Sequence, residues 1–332
     1  MKSFPLFSLT LYVSLFTLEP VFAQEQPAPT TQPHDITITP EGSGDFKTIQ
    51  EAIDSLARNS KTRQIVHFKP GVYRQRVEIR KDMTNITFRS DAPSDQVRIV
   101  TARAAGQIDP VTGQKIGTSG SEVVLVAGDG FTAENITFEN DAGEIGQAVA
   151  VRTLADRIVF RNCRFIGWQD TLYTNGKRHY FENCHIEGRV DFIFGRATSV
   201  FQNCIIKSKN GGFITAASTN ENTPWGLVFI NCRLVSDDTT PTYLGRPWRP
   251  YAAVAYIRCF MGPHIKPEGW NNWGKAENEK TARFFEYANT GPGADTSKRV
   301  PWAKQLTPEQ AEEMTITSIL SGNDQWDPTT QK

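Results

Sequence analysis

Phe181-Glu182-Asn183-Cys184-His185-Ile186 is one copy of the phrase that decides the fold. It returns as Phe160-Arg161-Asn162-Cys163-Arg164-Phe165, Phe201-Gln202-Asn203-Cys204-Ile205-Ile206 and Phe229-Ile230-Asn231-Cys232-Arg233-Leu234. A last copy, Tyr256-Ile257-Arg258-Cys259-Phe260-Met261, keeps the aromatic, the cysteine and the apolar ending. All five cysteines of the chain sit in this phrase, at spacings of 21, 20, 28 and 27 residues. Upstream, Asn85-Ile86-Thr87-Phe88 and Asn135-Ile136-Thr137-Phe138 read as copies without the cysteine. A period of this length, built from short alternating phrases rich in Val, Ile, Phe and Thr, predicts a β-solenoid. Leucine-rich repeats share the period but need a leucine scaffold that is absent here. The expected fold is therefore all-β, a parallel β-helix in which equivalent residues of successive coils stack ~4.8 Å apart.

A solenoid needs its ends covered. Thr48 and Glu51 have capping-box spacing, and Ile49, Ala52, Ile53 and Leu56 follow on one helical face, which predicts a helix closing the N-terminal end. Thr307 to Leu320, with Pro308 in its first turn, predicts a helical tail packing back on the coils. The cysteines have two readings: a buried ladder of small apolar side chains, which we favour, or a disulfide between neighbours such as Cys163 and Cys184.

The chain has 332 residues, with 36 basic side chains balancing 36 acidic ones. Such neutrality gives no general grip on nucleic acid, and 11% aromatic residues argue for a packed core rather than disorder. Lys2, the apolar run Phe4 to Leu18 and Val21-Phe22-Ala23 predict a signal peptide over 1–23. A Pro/Gln/Thr-rich leader over 24–33 and one domain over 34–328 then follow. The expected mature protein is secreted, to the medium or a periplasm, without a membrane anchor and as a monomer.

Asp170 stands seven residues after Cys163, and Asp191 seven after Cys184. If the cysteines mark equivalent positions, the two aspartates share a phase and stack, with carboxylates about 5 Å apart. Two like charges that close retain one proton between them, so one acid serves as proton donor beside an ionised nucleophile or base. A stacked pair binding backbone amides or a structural ion is the other reading of the same spacing.

Four segments then form a pattern: Gln147-Ala148-Val149-Ala150-Val151-Arg152, Gln169-Asp170-Thr171-Leu172, Asp191-Phe192-Ile193-Phe194-Gly195 and Leu244-Gly245-Arg246-Pro247-Trp248. In this order they closely resemble the signature segments of the pectin methylesterases, with Gly42-Ser43-Gly44-Asp45-Phe46 and Gly71-Val72-Tyr73 similar to further ones. The resemblance implies a right-handed parallel β-helix that hydrolyses galacturonate methyl esters in pectin (methyl-esterified homogalacturonan), with no cofactor and no metal. It implies Asp191 as nucleophile, Asp170 as acid/base, Gln147 and Gln169 as oxyanion donors, and Arg246 and Trp248 as orienting and substrate-binding groups. Thr118 falls near a family threonine that touches the sugar. Trp168, Tyr173, Phe194 and Trp248 are expected to line a cleft against pyranose faces, while Phe192 is expected in the core. Arg189, Arg196 and Arg249 could meet free carboxylates on the polymer.

Three positions depart from the pattern: Gln75 where Glu is frequent, Trp168 for Tyr, and Arg196 for Asn after Gly195. With only Gln24 to Pro33 ahead of the domain, the helical inhibitor-like region of some plant members is not expected. The rival reading is a β-helix glycoside hydrolase or lyase cutting the polygalacturonate backbone, since paired carboxylates also suit a retaining glycosidase. A lyase using calcium would need more oxygen ligands than this pair offers. A non-catalytic adhesive solenoid is a third class, and a serine esterase lacks its Gly-x-Ser-x-Gly elbow.

Overall fold

The computed structural model describes Met1 and residues 35–330. The expected signal peptide and leader lie, Met1 aside, outside those residues. What is described is a right-handed parallel β-helix. One face is an 11-stranded sheet running from Asp35–Ile38 through Ile158–Arg161 and Arg178–Glu182 to Lys304–Gln305. The rest of each coil forms a 13-stranded sheet with two ladders. Short separate strands make these ladders in the early coils, such as Arg164–Ile166 and Leu172–Thr174. In the next coils His185–Gly195 and Ile205–Ala217 each run through both. Pairing is parallel, with residues one coil apart in register, as in Phe160↔Phe181 and Phe165↔Ile186.

The repeat phrase marks the corner between the two sheets. Asn135, Asn162, Asn183, Asn203 and Asn231 all adopt a left-handed backbone, with φ between 52° and 60°. Asn tolerates this region better than other residues with a Cβ, which is why it recurs there. Arg258 holds the same turn at φ 53° in the last copy. Asn85 departs from expectation: it precedes a strand of the first sheet, Ile86–Arg89, and aligns with Gly130 and Arg157, one corner away from the cysteine phase. Each coil turns at more than one left-handed residue, so a similar phrase arises in two phases.

Inside, the aromatic three residues before each cysteine forms a column. Phe160, Phe181, Phe201, Phe229 and Tyr256 stack with centroids 5.1, 4.5, 4.6 and 4.6 Å apart and planes within 15°. All five cysteines are buried and unbridged. Their thiols donate to carbonyls of the preceding coil, as from Cys184 Sγ to Phe160 O at 3.4 Å. This is the apolar ladder, not the disulfide.

Helix α1 (Ile49–Ser55) closes the N-terminal end. Thr48 Oγ1 accepts from the Glu51 amide at 3.1 Å, and the Glu51 carboxylate accepts in turn from the Thr48 amide. Ile49, Ala52 and Ile53 are fully buried. Gln75, the departure from Glu, accepts from the Ile49 amide at 2.7 Å, satisfying another helix-end donor. Helix α2 (Ala276–Thr281) was not legible in the sequence. The C-terminal tail is two helices rather than one continuous helix: α3 (Pro308–Glu313) ends at Met314, and α4 (Ile316–Leu320) starts afresh with Thr315 capping it. The second capping side chain competes with continuation of the first helix. Met314, Ile319, Leu320 and Trp326 pack on the outer face of the 11-stranded sheet against Tyr180, Val200 and Val228. No helix among the described residues is long and apolar enough to cross a membrane.

Candidate active site

Leu172 pairs with Ile193 and Tyr173 with Phe194, a shift of one coil that sets Asp170 directly beside Asp191. The Asp170 amide donates to Val190 O at 3.0 Å, tying the two coils together at the pair. Both aspartates are left-handed, with φ of 66° and 52°. Around Asp191 the pairing of His185–Gly195 with Ile205–Ala217 slips between Gly188 and Val190 and again before Ile193. Such a bulge breaks strand alternation and re-aims a side chain. Gly188 permits it, since a Cβ there would lie 2.3 Å from Phe192 Cβ. The two carboxylates consequently open into one cleft of about 280 Å³, while Phe192 stays fully buried in the core as expected.

Asp170 is 7% exposed and Asp191 5%. Arg246 reaches Asp191 with a two-pronged fork, Nε to Oδ1 at 2.9 Å and an Nη to Oδ2 at 2.7 Å. No comparable partner meets Asp170 among the described residues. Burial, reinforced by the charge of Asp191 and only partly offset by Arg246, pushes its pKa up to about 8. Burial also raises Asp191 above its ordinary value, and the Arg246 fork and charge offset only part of that rise. The shared proton therefore resides on Asp170, and Asp191 is the ionised partner.

Arg246 is itself fixed from both sides. Its guanidinium lies 3.8 Å from the ring centroids of Phe213 and Trp273. Gly245 lets its strand close on the neighbouring coil, where a Cβ would lie 1.9 Å from Thr215 Oγ1. Trp273 and Phe213 were not anticipated from sequence. Phe213 sits in the long strand at no repeat-marked position. Trp273 comes from an irregular segment seated by α2, whose Asn278 donates to Asn272 O and Pro247 O.

Gln147 and Gln169 also line the cleft and stand on adjacent coils, paired by an isolated bridge. Thr118, Tyr173, Phe194 and Trp248 line it too, joined by Ser119 and Ala216. Tyr173 and Phe194 stack at 4.1 Å, and Trp248 meets both edge-on. Trp168 is the exception: it borders a neighbouring cavity with Arg189 and Glu144, and its ring carries the Lys209 ammonium at 4.2 Å. Arg189 lines that cavity rather than the catalytic cleft and pairs with Glu144. Among the described residues no three His, Cys, Asp or Glu side chains converge as metal ligands would.

A profile of the pectinesterase family matches residues 35–323. The chain belongs to this family. It is 43% identical to Pectinesterase 31 of Arabidopsis thaliana over 285 residues, covering 83% of this chain and 89% of that protein. The carrot pectin methylesterase superposes with a TM-score of 0.83 at 34% identity, covering 92% of this chain and 98% of that one. A pectin methylesterase in complex with a hexasaccharide superposes at 0.76 with 32% identity, covering 86% and 95%. The chain spans about half the length of several relatives named pectinesterase/pectinesterase inhibitor, 50% for that of Brassica napus.

Proposed function

We infer that this pectinesterase hydrolyses galacturonate methyl esters in pectin, leaving the polymer carboxylate and releasing methanol. The reading rests on one arrangement: an ionised Asp191 held by the Arg246 fork beside a neutral Asp170, both in an aromatic-lined cleft.

In the proposed mechanism Asp191 attacks the ester carbonyl carbon. The amide groups of Gln147 and Gln169 donate to the oxyanion that forms. As the bond to the methoxy oxygen breaks, Asp170 gives that oxygen its proton, and methanol leaves. The resulting anhydride joins Asp191 to the sugar carboxyl. Asp170, now ionised, takes a proton from water, which hydrolyses the anhydride and restores both acids. Arg246 aims Asp191 and keeps it deprotonated between turnovers. Tyr173, Phe194 and Trp248 offer ring surface to the pyranose units, and Thr118 a hydroxyl at the cleft edge. The hexasaccharide held by the solved relative supports a polymer-length groove of this kind. The enzyme acts, in this reading, as a secreted monomer after removal of residues 1–23, with 34–328 as its catalytic domain.

Backbone cleavage is disfavoured because the amides of Gln147 and Gln169 line the cleft beside the pair, donors that serve an acyl oxyanion and have no counterpart role in glycosidic cleavage. The decisive assay puts wild-type protein on highly methyl-esterified pectin, with methanol and viscosity followed together. Methanol released at constant chain length is expected; new reducing ends without methanol would overturn the assignment.

A further inference from the structure

The groove extends past the catalytic cleft in both directions, and its two ends differ in how their charges are committed. At one end Arg189 pairs with Glu144, and Lys209, lying over the Trp168 ring, pairs with Glu187 at 3.1 Å. The cations there are matched. The other end starts from Tyr173 and Trp248, which it shares with the catalytic cleft, and continues past Arg249 and Arg196 to Lys177. Lys177, Arg196 and Arg249 are exposed, and among the described residues none enters an ion pair. Arg249 rests over the Trp248 ring and donates to Trp248 O. Arg178, which also borders this end, is already taken by Asp156 and Asp324. Glu221 is the carboxylate lining this end, and it faces the Tyr251 hydroxyl.

Charge is what separates product from substrate in this reaction, because each turnover replaces a neutral ester by a carboxylate. A groove end with uncommitted cations favours de-esterified units, and an end with matched charges does not. The backbone of Arg196 is anchored beside the reacting centre. It directly follows Gly195 on the strand of Asp191, and its amide donates to Thr174 O at 3.0 Å. Resting on the pectin-de-esterifying reading above, we propose that Arg196 and Lys177, with Arg249, bind free galacturonate carboxylates on the Trp248 side of the reacting ester. They thereby set specificity for partly de-esterified polymer.

The experiment is inhibition of methanol release by unesterified trigalacturonate at low salt, for wild type and the Lys177→Gln/Arg196→Asn double variant. The double variant is expected to raise the inhibition constant about three- to tenfold, as exposed ion pairs of modest strength would. Added salt narrows that difference, and KM for highly esterified pectin moves less than the inhibition constant does. Arg196→Asn alone, at an exposed position, is expected to show part of the effect should the double variant not fold. Equal inhibition constants in wild type and a variant that both release methanol would overturn the proposal. Absence of methanol release by the wild type would instead strike the reading beneath it.

Discussion

At Asp170 burial and the neighbouring Asp191 charge act in the same direction, and the consequence is a proton donor whose pKa of about 8 lies above neutrality. As pH rises through that value the donor is lost, so kcat/KM is expected to fall on the alkaline side with a midpoint near 8. The same group couples activity to stability. Its folded pKa lies above its unfolded one, so its favourable contribution is complete below about 4 and is lost as pH rises towards 8. Asp170→Asn, which removes the ionisation, is therefore expected to raise the melting temperature at about pH 8 relative to wild type while abolishing turnover. A melting temperature lower than wild type at that pH would contradict the buried, protonated assignment. Gln169→Ala, which removes one of the two proposed oxyanion donors, should lower kcat on the order of a hundredfold. Much of this scale was legible. Asp170 and Asp191 revealed themselves by their equal distance from a cysteine, but their left-handed backbone and the bulge beside Asp191 leave no such mark. Phe213 and Trp273, which clamp Arg246, were hidden because neither stands in the repeat phase.

At the level of the coil, the corner residue matters more than the strands it joins. Asn203 holds φ 55°, where a Cβ-bearing residue without a short polar side chain is strained. Asn203→Gly is expected to leave stability within a few tenths of a kcal/mol, and Asn203→Val to cost about 1–2 kcal/mol, by chemical denaturation. Equal costs for the two would show that side-chain contacts, not backbone conformation, hold the corner. The cysteine ladder makes a second prediction: thiol titration of the unfolded, unreduced protein should return five free groups, since all five are unbridged. Strand periodicity and the α1 capping box could be read in advance because both are local. Asn85 misled for the same reason, as two corners of a coil share one local solution. The split between α3 and α4 escaped because Thr315 reads equally as a helix interior and as a cap.

Across the whole molecule, the tail is fastened to the coils through charge. Arg178 binds Asp156 at 2.6 Å and Asp324 at 2.5 Å, and donates as well to the carbonyls of Leu320 and Ser321. Burial alone would raise Asp156, but hydrogen bonds and the charge of Arg178 hold it below its usual range, and they hold Asp324 well below. Groups lowered in this way stabilise above their unfolded pKa and lose that contribution as pH falls. Arg178→Met is expected to lower the melting temperature at about pH 7 and to flatten its decline in acid; an unchanged acid limb would place the fastening elsewhere. The repeat announced the solenoid, whereas the tail's docking depends on contacts some 140 residues apart, such as Arg178 to Leu320, that no local pattern encodes. All of this architecture serves one juxtaposition, a neutral acid beside an ionised one on the next coil. The most direct test of it is methanol release from highly esterified pectin by wild type, Asp170→Asn and Asp191→Asn, each shown to be folded by circular dichroism. Both variants are expected to fall by about a thousandfold or more; a folded Asp191→Asn protein that releases methanol at the wild-type rate would contradict the account.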